Sequence, residues 1–297
     1  MNYTDYKADS LKLTKEVREN AEGDFIDLPL GFTHYKCEGE GTDWAVLVHG
    51  YATPYYIYDK LAEGLVKEGY KVLRYDLIGR GLSERIKAKY DPALFVRQLE
   101  ELTQAIIGDE PFYLFGTSMG GTITTSFTAK HPDKVKKLVL LAPAGMRFDY
   151  PFYMKLAKIK GLGELLFKII GGKTMTEGCA SEMIYSGDEV ADEYRRKFAE
   201  CIQYKGMIKA TLSSMRYTLL NFKESEKGYE GTGKAKVPVL TVWGTADKTM
   251  PYYQAERMKK FLPDMELVSY ENSGHIFVYD EGDRTMDVVL PFLKANA

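Results

Sequence analysis

The sequence of 297 residues has only three cysteines and no long apolar run. Cys37, Cys179 and Cys201 lie far apart and form no C-x-x-C pair, so we expect no disulfide framework and a reducing compartment. No stretch approaches the ~18 uninterrupted apolar residues of a membrane span. The N-terminal residues are polar and charged and lack the apolar core of a signal peptide. These absences predict a cytoplasmic protein without stable membrane insertion.

The charged side chains nearly balance, with 40 Lys and Arg against 42 Asp and Glu, for a formal net charge of -2. Such a balance provides no basic surface for nucleic acid and no acidic tail. His, Cys and Asp form no cluster with metal-ligand spacing, and no G-x-G-x-x-G follows a strand pattern. We therefore expect no metal, no organic cofactor and no nucleic-acid partner.

Short apolar runs alternate with longer amphipathic stretches along most of the chain. Runs typical of buried strands occupy residues 44–48, 71–75, 112–115, 138–141, 239–243 and 266–270. Helical patterns separate them, and two antiparallel strands at the sheet edge are expected at 24–28 and 32–37. Strands alternating with helices predict an α/β fold, with a mostly parallel sheet and helices on both of its faces.

The alternation breaks over residues 144–233, where helical patterns such as 153–170 and 189–220 occur without an apolar strand run. We expect this stretch to be a helical cap, or lid, inserted into a core domain made of residues 1–143 and 234–297. Its apolar side chains are expected to roof a pocket. Aromatic candidates to line that pocket are Phe148, Tyr150, Phe152, Tyr153 and Phe167.

Lysines are interspersed with apolar residues in the first part of the insertion, at Lys155, Lys158, Lys160 and Lys168. A basic amphipathic helix of this kind can bind a membrane surface. The interpretation we favour is a lid helix whose apolar residues face the pocket and whose lysines face water.

The central chemical signal is Gly116-Thr117-Ser118-Met119-Gly120-Gly121, between a predicted strand and a predicted helix. This is the setting of a G-x-S-x-G nucleophile elbow, whose tight turn projects the serine hydroxyl from the carboxyl edge of the sheet. The helix N-terminus also places the backbone N–H of Met119 where negative charge develops. The alternative is a glycine-rich turn with an incidental serine.

A serine hydroxyl is a weak nucleophile at neutral pH and needs an adjacent base. His275 lies in the loop Ser273-Gly274-His275, after a predicted strand and late in the chain. The other histidines occupy an edge hairpin, a helix end and a different motif: His34, His131 and His49. The base needs an orienting carboxylate, and Asp247 follows another predicted strand. The alternatives are an ordinary loop histidine and a turn-forming aspartate.

The segment Val48-His49-Gly50-Tyr51-Ala52 follows the first parallel strand directly. A loop at this place can supply a second backbone N–H to an oxyanion, and the residue in position to do so is Tyr51. The alternative is a simple strand-ending turn. His49 itself is interpreted as structural.

Taken together, HGYA, DLIGRGLS, GTSMGG, WGTAD and SGH resemble the α/β-hydrolase superfamily, in its capped branch of esterases, monoacylglycerol-lipase-like enzymes and carbon–carbon bond hydrolases. The resemblance spans residues 25–293 except the insertion. It implies these roles: nucleophile Ser118, general base His275, orienting acid Asp247, and oxyanion-hole N–H donors Tyr51 and Met119. It further implies that the glycines of residues 76–83 form a structural turn beside the active site.

The resemblance implies a serine hydrolase that cleaves a small carboxylic ester or acyl substrate through an acyl-enzyme. Ser118 argues against the dehalogenase and epoxide-hydrolase relatives, which carry aspartate at this position. Two alternatives stay open: a carbon–carbon bond hydrolase or other hydrolase with the same triad, and a non-catalytic small-molecule receptor. The sequence carries no signal of acyl-chain length, leaving group or oligomeric state.

Overall fold

A computed structural model of the protein describes residues 3–295, apart from the side chain of Tyr153. In this part of the chain eight strands form one sheet, in the order β1-β2-β4-β3-β5-β6-β7-β8. The strands are β1 (Asp24–Leu28), β2 (Gly31–Glu38), β3 (Asp43–Val48), β4 (Tyr70–Tyr75), β5 (Phe112–Thr117), β6 (Val135–Leu141), β7 (Val239–Gly244) and β8 (Glu266–Tyr270).

The α-helices are α1 (Lys15–Glu19), α2 (Asp59–Lys67), α3 (Pro92–Ile106), α4 (Met119–Lys130), α5 (Phe152–Ala157), α6 (Leu162–Leu166), α7 (Gly172–Gly178), α8 (Asp188–Ile202), α9 (Met207–Ser214), α10 (Phe222–Ala235), α11 (Gln254–Met258), α12 (Phe277–Asp280) and α13 (Gly282–Lys294). Shorter 3₁₀ turns lie at Tyr3–Asp5, Tyr55–Tyr58 and Pro132–Lys134, and π-helical turns at Phe167–Gly171 and Met215–Leu219. No helix among the described residues is long and apolar enough to cross a membrane.

The sheet confirms the predicted α/β fold. Strands β3 to β8 pair in parallel, whereas β1 pairs with β2 and β2 with β4 in antiparallel fashion. The predicted edge hairpin is therefore β1–β2. β7 is buried along its whole length because helices cover both faces of a parallel sheet. α2 packs with α13, and α4 packs with α3 and α10.

Local sequence explains where the core helices begin. The Asp91 side chain accepts a hydrogen bond from the Leu94 N–H and Pro92 occupies the first turn of α3, so both helix-start signals in the sequence act as expected. α4 begins directly after Ser118 and ends before Pro132. The geometry of the strand–helix turns is thus set by a few residues at the carboxyl ends of the strands.

The stretch between β6 and β7 is helical, and glycines divide its helical patterns into short helices. Gly161, with φ 81°, separates α5 from α6, and Gly206, with φ 99°, separates α8 from α9. Glycine adopts these left-handed conformations without a Cβ clash, so the chain turns there although the apolar periodicity continues. The helical patterns over 153–170 and 189–220 are consequently each divided into shorter helices.

Two side-chain contacts place the helical stretch above the carboxyl ends of the strands. Tyr194 on α8 donates to Thr53 in the loop after β3 at 3.0 Å. Arg80, in the loop after β4, donates to Ser214 at the end of α9 at 2.7 Å. α10 instead packs along α4, where Thr232 donates to the Thr125 carbonyl at 2.9 Å. This last helix therefore returns the chain to the layer that covers the sheet.

The expected inward orientation of the apolar side chains was wrong for several residues of the insertion. Phe152 and Ile159 expose 69% and 52% of their surface, whereas Met154 is buried. Phe148 packs against Phe222 in an edge-on aromatic pair. The side chain of Tyr153 lies outside the described part of the structure.

Candidate active site

Ser118 is the single residue between β5 and α4, and its backbone is unusual. Its φ of 51° and ψ of -122° are sparsely populated for a residue with a Cβ. Three backbone hydrogen bonds hold it: its N–H donates to Leu141 at 3.0 Å, and its carbonyl accepts from Gly121 and Ala144 at 2.9 and 2.8 Å. Strain of about 1–3 kcal/mol is retained at such positions when the surrounding structure fixes them.

Close backbone approach brings the serine next to the loop after β3. A Cβ on Gly120 would lie 2.2 Å from the Val48 carbonyl oxygen, so α4 packs directly against the end of β3 only because this residue is glycine. A Cβ on Gly50 would lie 3.0 Å from the Cβ of Ser118. The predicted oxyanion loop and the predicted nucleophile are therefore neighbours.

The hydroxyl of Ser118 is not used to hold its own helix. Although Ser118 occupies the N-cap position of α4, its side chain makes no capping hydrogen bond. It forms no hydrogen bond with any other residue of the described chain, His275 included, and Ser118 is 8% exposed. Catalytic hydrogen bonds are often long without substrate and tighten in the reacting complex. An unengaged hydroxyl at this position is compatible with the predicted role of Ser118 as nucleophile.

His275 and Asp247, 28 residues apart in sequence, form a buried hydrogen-bonded pair. The imidazole Nδ1 lies 2.7 Å from Asp247 Oδ2. The other oxygen, Oδ1, accepts the Met250 N–H at 2.7 Å, so the aspartate also forms the turn weighed as its alternative role. Because a carboxylate acceptor requires the proton on Nδ1, His275 Nε2 carries the lone pair that a general base needs.

The charges around His275 set its proton affinity. Burial of the imidazole favours its neutral form, but the charge and hydrogen bond of Asp247, together with the charge of Glu182, act in the opposite direction and outweigh it. The pKa of His275 is consequently raised above its ordinary value. The imidazolium formed by proton abstraction is stabilised in the same way.

The two predicted oxyanion donors are the residue after Ser118, Met119, and the residue after Gly50, Tyr51, in the loop that lies beside Ser118. Met119 supplies the first N–H of α4, which has no acceptor within the helix. The carbonyl of Tyr51 accepts a hydrogen bond from Arg80 Nε at 2.7 Å, which fixes the conformation of its loop. Their assignment as oxyanion donors stays a prediction.

Arg80 is a residue that the sequence interpretation missed. Its side chain is fully buried and bridges the Tyr51 carbonyl and Ser214 of α9. Burial lowers the pKa of the Arg80 guanidinium to about 10. The sequence does contain a signal for this role, an arginine between two turn glycines, but it was interpreted only as part of a structural loop. This side chain joins the loop after β3 to the helical insertion.

His49 is a structural residue, as the sequence suggested. Its Nε2 accepts the Leu77 N–H at 2.9 Å, and its Nδ1 donates to the Gly50 carbonyl at 3.0 Å. Both ring nitrogens of the neutral imidazole are therefore engaged in hydrogen bonds. Complete burial lowers the pKa of His49 to about 4. The imidazole therefore ties the loop after β3 to the loop after β4 and has no free nitrogen for proton transfer.

Asp76, the first residue of the loop after β4, organises that loop through its carboxylate. It accepts hydrogen bonds from the backbone of Tyr55 at 3.1 Å and of Leu82 at 2.9 Å, and lies 2.7 Å from His34 Nδ1. A Cβ on Gly81 would lie 1.9 Å from this carboxylate. The sequence assigned the turn to its glycines, whereas the buried Asp76–His34 pair also supports it.

Glu182, on the segment between α7 and α8, contacts both loops that carry the acid and the base. Its Oε2 accepts the Lys248 N–H at 2.7 Å and the His275 N–H at 3.3 Å. Its Oε1 accepts the Thr249 hydroxyl. Sequence alone offered no signal for this residue, because it lies in the insertion and far along the chain from both loops.

The reciprocal contact comes from the core. One oxygen of Asp280 on α12 accepts the N–H groups of Ile184 and Tyr185 at 2.7 and 2.8 Å, and the other accepts that of Ser186 at 2.6 Å. A cap carboxylate thus binds core N–H groups, and a core carboxylate binds cap N–H groups. The segment 182–186 is fixed beside His275 by these two side chains.

A cleft of about 740 Å³ lies elsewhere, between α1, β2, the turn at Tyr55–Tyr58 and α8. Its charged groups bind one another: Arg74 pairs with Glu38 and Asp59, and Lys197 pairs with Asp59. The cleft is lined by none of Ser118, Asp247 and His275. The three predicted site residues therefore lie outside this cavity.

Comparison with known proteins agrees with the geometry. The family model described as serine aminopeptidase, S33, matches residues 42–282. The AB hydrolase superfamily protein YisY of Bacillus subtilis is 26% identical over 252 residues, covering 83% of this chain and 90% of YisY. The human monoacylglycerol lipase ABHD6 is 26% identical over 209 residues, covering 67% of this chain and 60% of ABHD6.

A solved structure has the same fold. The esterase EaEST from Exiguobacterium antarcticum superposes with a TM-score of 0.74 at 21% identity, over 92% of this chain and 100% of that one. At this level of identity the superposition establishes the architecture alone.

Proposed function

Because the chain belongs to the serine aminopeptidase S33 family of α/β-hydrolases, we propose that this hydrolase cleaves carboxylic esters through Ser118, His275 and Asp247. The observation that carries the proposal is the combination of a strained serine elbow with a buried imidazole–carboxylate pair. The elbow retains backbone strain at Ser118, and the pair supplies an oriented imidazole; both suit an activated nucleophile.

In the proposed reaction His275 Nε2 accepts the proton of the Ser118 hydroxyl while Oγ attacks the acyl carbonyl. Asp247 holds the imidazole in the required tautomer and stabilises the imidazolium. The N–H groups of Tyr51 and Met119 stabilise the tetrahedral oxyanion. His275 then protonates the departing alcohol, and the acyl group remains on Ser118. Water, deprotonated by His275, releases the acid.

The substrate class follows from the neighbouring proteins and from the cap. A relative named monoacylglycerol lipase and a structural neighbour named esterase both support a small acyl ester. In this proposal residues 144–233 form the cap, of which α5 to α9 lie above the strand ends and α10 returns to the core. Specificity then depends on cap side chains, as in other pockets closed by a separate element.

Replacement of Ser118 by alanine tests the proposal. Hydrolysis of p-nitrophenyl esters graded by chain length should fall on the order of 10³–10⁶-fold in kcat, as for other serine triads. The melting temperature should change little, because alanine keeps the same backbone and the Ser118 hydroxyl makes no capping hydrogen bond that would be lost. Mass spectrometry of the wild type during turnover should detect one acyl group on Ser118.

Three results would contradict it. A folded Ser118→Ala variant with near-normal turnover shows that Ser118 is not the nucleophile. A wild type that binds esters without any turnover is a receptor. A wild type inert toward esters but active on a vinylogous 1,5-diketone is a carbon–carbon bond hydrolase, the other activity compatible with this triad.

A further inference from the structure

An apolar face on the outside of the cap remains unexplained by the reaction. Its residues belong to α5, the turn between α5 and α6, α6 and the π turn that follows, and each exposes between 37% and 69% of its surface. We call this group the outer cap face: Phe152, Ile159, Leu162, Leu165, Ile169 and Ile170. Contiguous exposed apolar surfaces of this kind mark interaction sites in soluble proteins.

Most of this face lies on α6 and the π turn that follows it, and their apolar side points outward. Gly163 and Gly171, eight residues apart, are buried on the side facing the protein. A Cβ on Gly163 would lie 2.3 Å from the Ala157 carbonyl oxygen, so the helix packs on α5 by its small residues. Leu162, Leu165 and Ile169 have the spacing i, i+3, i+7 and share another side. This reverses the usual arrangement, in which the apolar stripe faces the core.

Exposed lysines alternate along the chain with the residues of the outer cap face. Residues 152–178 contain five lysines and two glutamates in a chain whose net charge is -2. One glutamate is held by Arg216 and the other lies 3.7 Å from Lys173. Within residues 3–295, Lys155, Lys160 and Lys168 take part in no ion pair. The segment that carries the face therefore exposes apolar side chains together with an excess of positive charge.

This combination selects among possible partners. A second copy of the chain would place lysines opposite lysines, which opposes association through this face. An anionic bilayer matches both features, because the apolar side chains enter the boundary of the acyl chains while the lysines reach lipid phosphates. We propose that the outer cap face binds the surface of membranes that contain anionic phospholipid. The core stays in water, and the cap is the part that contacts lipid.

Membrane binding through this face concerns where the enzyme works and is independent of the triad assignment. Its test is sedimentation of the full-length protein with phosphatidylcholine vesicles and with vesicles containing phosphatidylglycerol. We expect binding to the anionic vesicles only, weakening as salt is raised because exposed charges are screened. Hydrolysis of a soluble short-chain ester is measured in parallel.

Two sets of variants separate the apolar and charged contributions. The double variant Leu165→Ser with Ile169→Ser should lose about tenfold or more in vesicle affinity and keep its activity on the soluble ester. The triple variant Lys155→Gln, Lys160→Gln and Lys168→Gln should lose the salt-dependent part of binding. Leu11→Ser is the matched control, because Leu11 is 46% exposed but lies outside the face.

Several outcomes overturn the proposal. Absence of binding by folded wild type at low salt does so directly. Equal binding by the double variant, or equal loss in the Leu11→Ser control, removes the outer cap face from the interaction. A dimer in light scattering that the double variant dissociates would assign the face to a second copy instead.

Discussion

The imidazole of His275 is subject to opposing influences whose balance can be measured. Asp247 and Glu182 raise its pKa against the effect of burial. The general base acts only when neutral, so kcat/KM should fall on the acid side through one group with a midpoint above the ordinary value of about 6.5. It should reach a plateau at higher pH. Activity that persists to pH 4 would remove His275 from the role of base.

Replacement of Asp247 by asparagine tests the orienting carboxylate. An amide keeps the size of the side chain, but its NH₂ group favours the wrong imidazole tautomer. We expect kcat to fall on the order of 10³–10⁴-fold, with the fold retained in circular dichroism. An Asp247→Asn variant as fast as the wild type, in steady-state kinetics with one soluble ester, would contradict the assignment.

Glu182 acts on the same histidine through its charge and its hydrogen bonds. In Glu182→Gln one influence that raises the pKa of His275 disappears, so the acid limb of kcat/KM should move to lower pH. The plateau should fall by no more than about tenfold, because one amide oxygen still accepts a backbone N–H. Aspartate in place of Glu182 should restore the position of the limb in part.

The control for this measurement is Glu177→Gln, a cap carboxylate that approaches only Lys173. Its pH profile should overlay that of the wild type. If the Glu182→Gln profile also overlays it, the cap carboxylate has no electrostatic effect on the base. A profile that changes in height alone would indicate a purely structural contact.

The elbow formed by β5 and α4 depends on contacts between backbones. In Gly120→Ala the new methyl group would meet the Val48 and His49 carbonyl oxygens at 2.2 and 2.8 Å. α4 must then move away from β3, which we expect to cost about 1–3 kcal/mol of unfolding free energy and most of the activity. Urea denaturation and ester turnover measure the two effects.

Gly178→Ala is the control for a glycine-to-alanine change in a helix without a close neighbour. Gly178 ends α7, and a Cβ there would have no neighbour within 4 Å. Alanine should leave stability unchanged or raise it slightly, because alanine is the better helix former. Equal destabilisation by both substitutions would show that close packing at Gly120 is not the cause.

For the whole molecule, the buried His34–Asp76 pair predicts a pH dependence of stability. Burial opposes both charges, but mutual attraction and the hydrogen bond prevail, so the pKa of His34 is raised and that of Asp76 is lowered. A raised histidine pKa stabilises the fold fully below the unfolded value of about 6.5, and this contribution is lost as pH rises through the folded pKa. The lowered pKa of Asp76 adds to the free energy of unfolding at pH values above the unfolded pKa of aspartate. This contribution is lost as pH falls through the pKa of Asp76 in the folded protein.

The comparison of wild type with His34→Gln measures this effect. The wild type should exceed the variant in unfolding free energy by more at pH 5.5 than at pH 9, in urea titrations under the same salt. The variant should keep ester hydrolysis, since His34 touches no reacting group. A difference that is constant across this range would mean that the pair is not charged in the folded protein.

The sequence by itself determined the sheet and the serine elbow. Runs such as 44–48 and 239–243 are apolar at nearly every position, which is typical of strands buried on both faces. Because such strands alternate with helices along the chain, the sequence predicts a parallel α/β sheet. The elbow is local too, since glycines on both sides of Ser118 permit one tight turn and few others. These features depend on neighbours in the chain, which a sequence displays directly.

Only the tertiary structure decided how the cap is built and held. The left-handed glycines Gly161 and Gly206 break periodic helices that sequence patterns continue. Glu182 and Arg80 acquire their roles through contacts with loops 66 and 29 residues away or more. The outward apolar face of α6 depends on which side of a helix meets the protein. Periodicity defines a stripe but not its direction, because burial is a property of the surroundings that the fold provides.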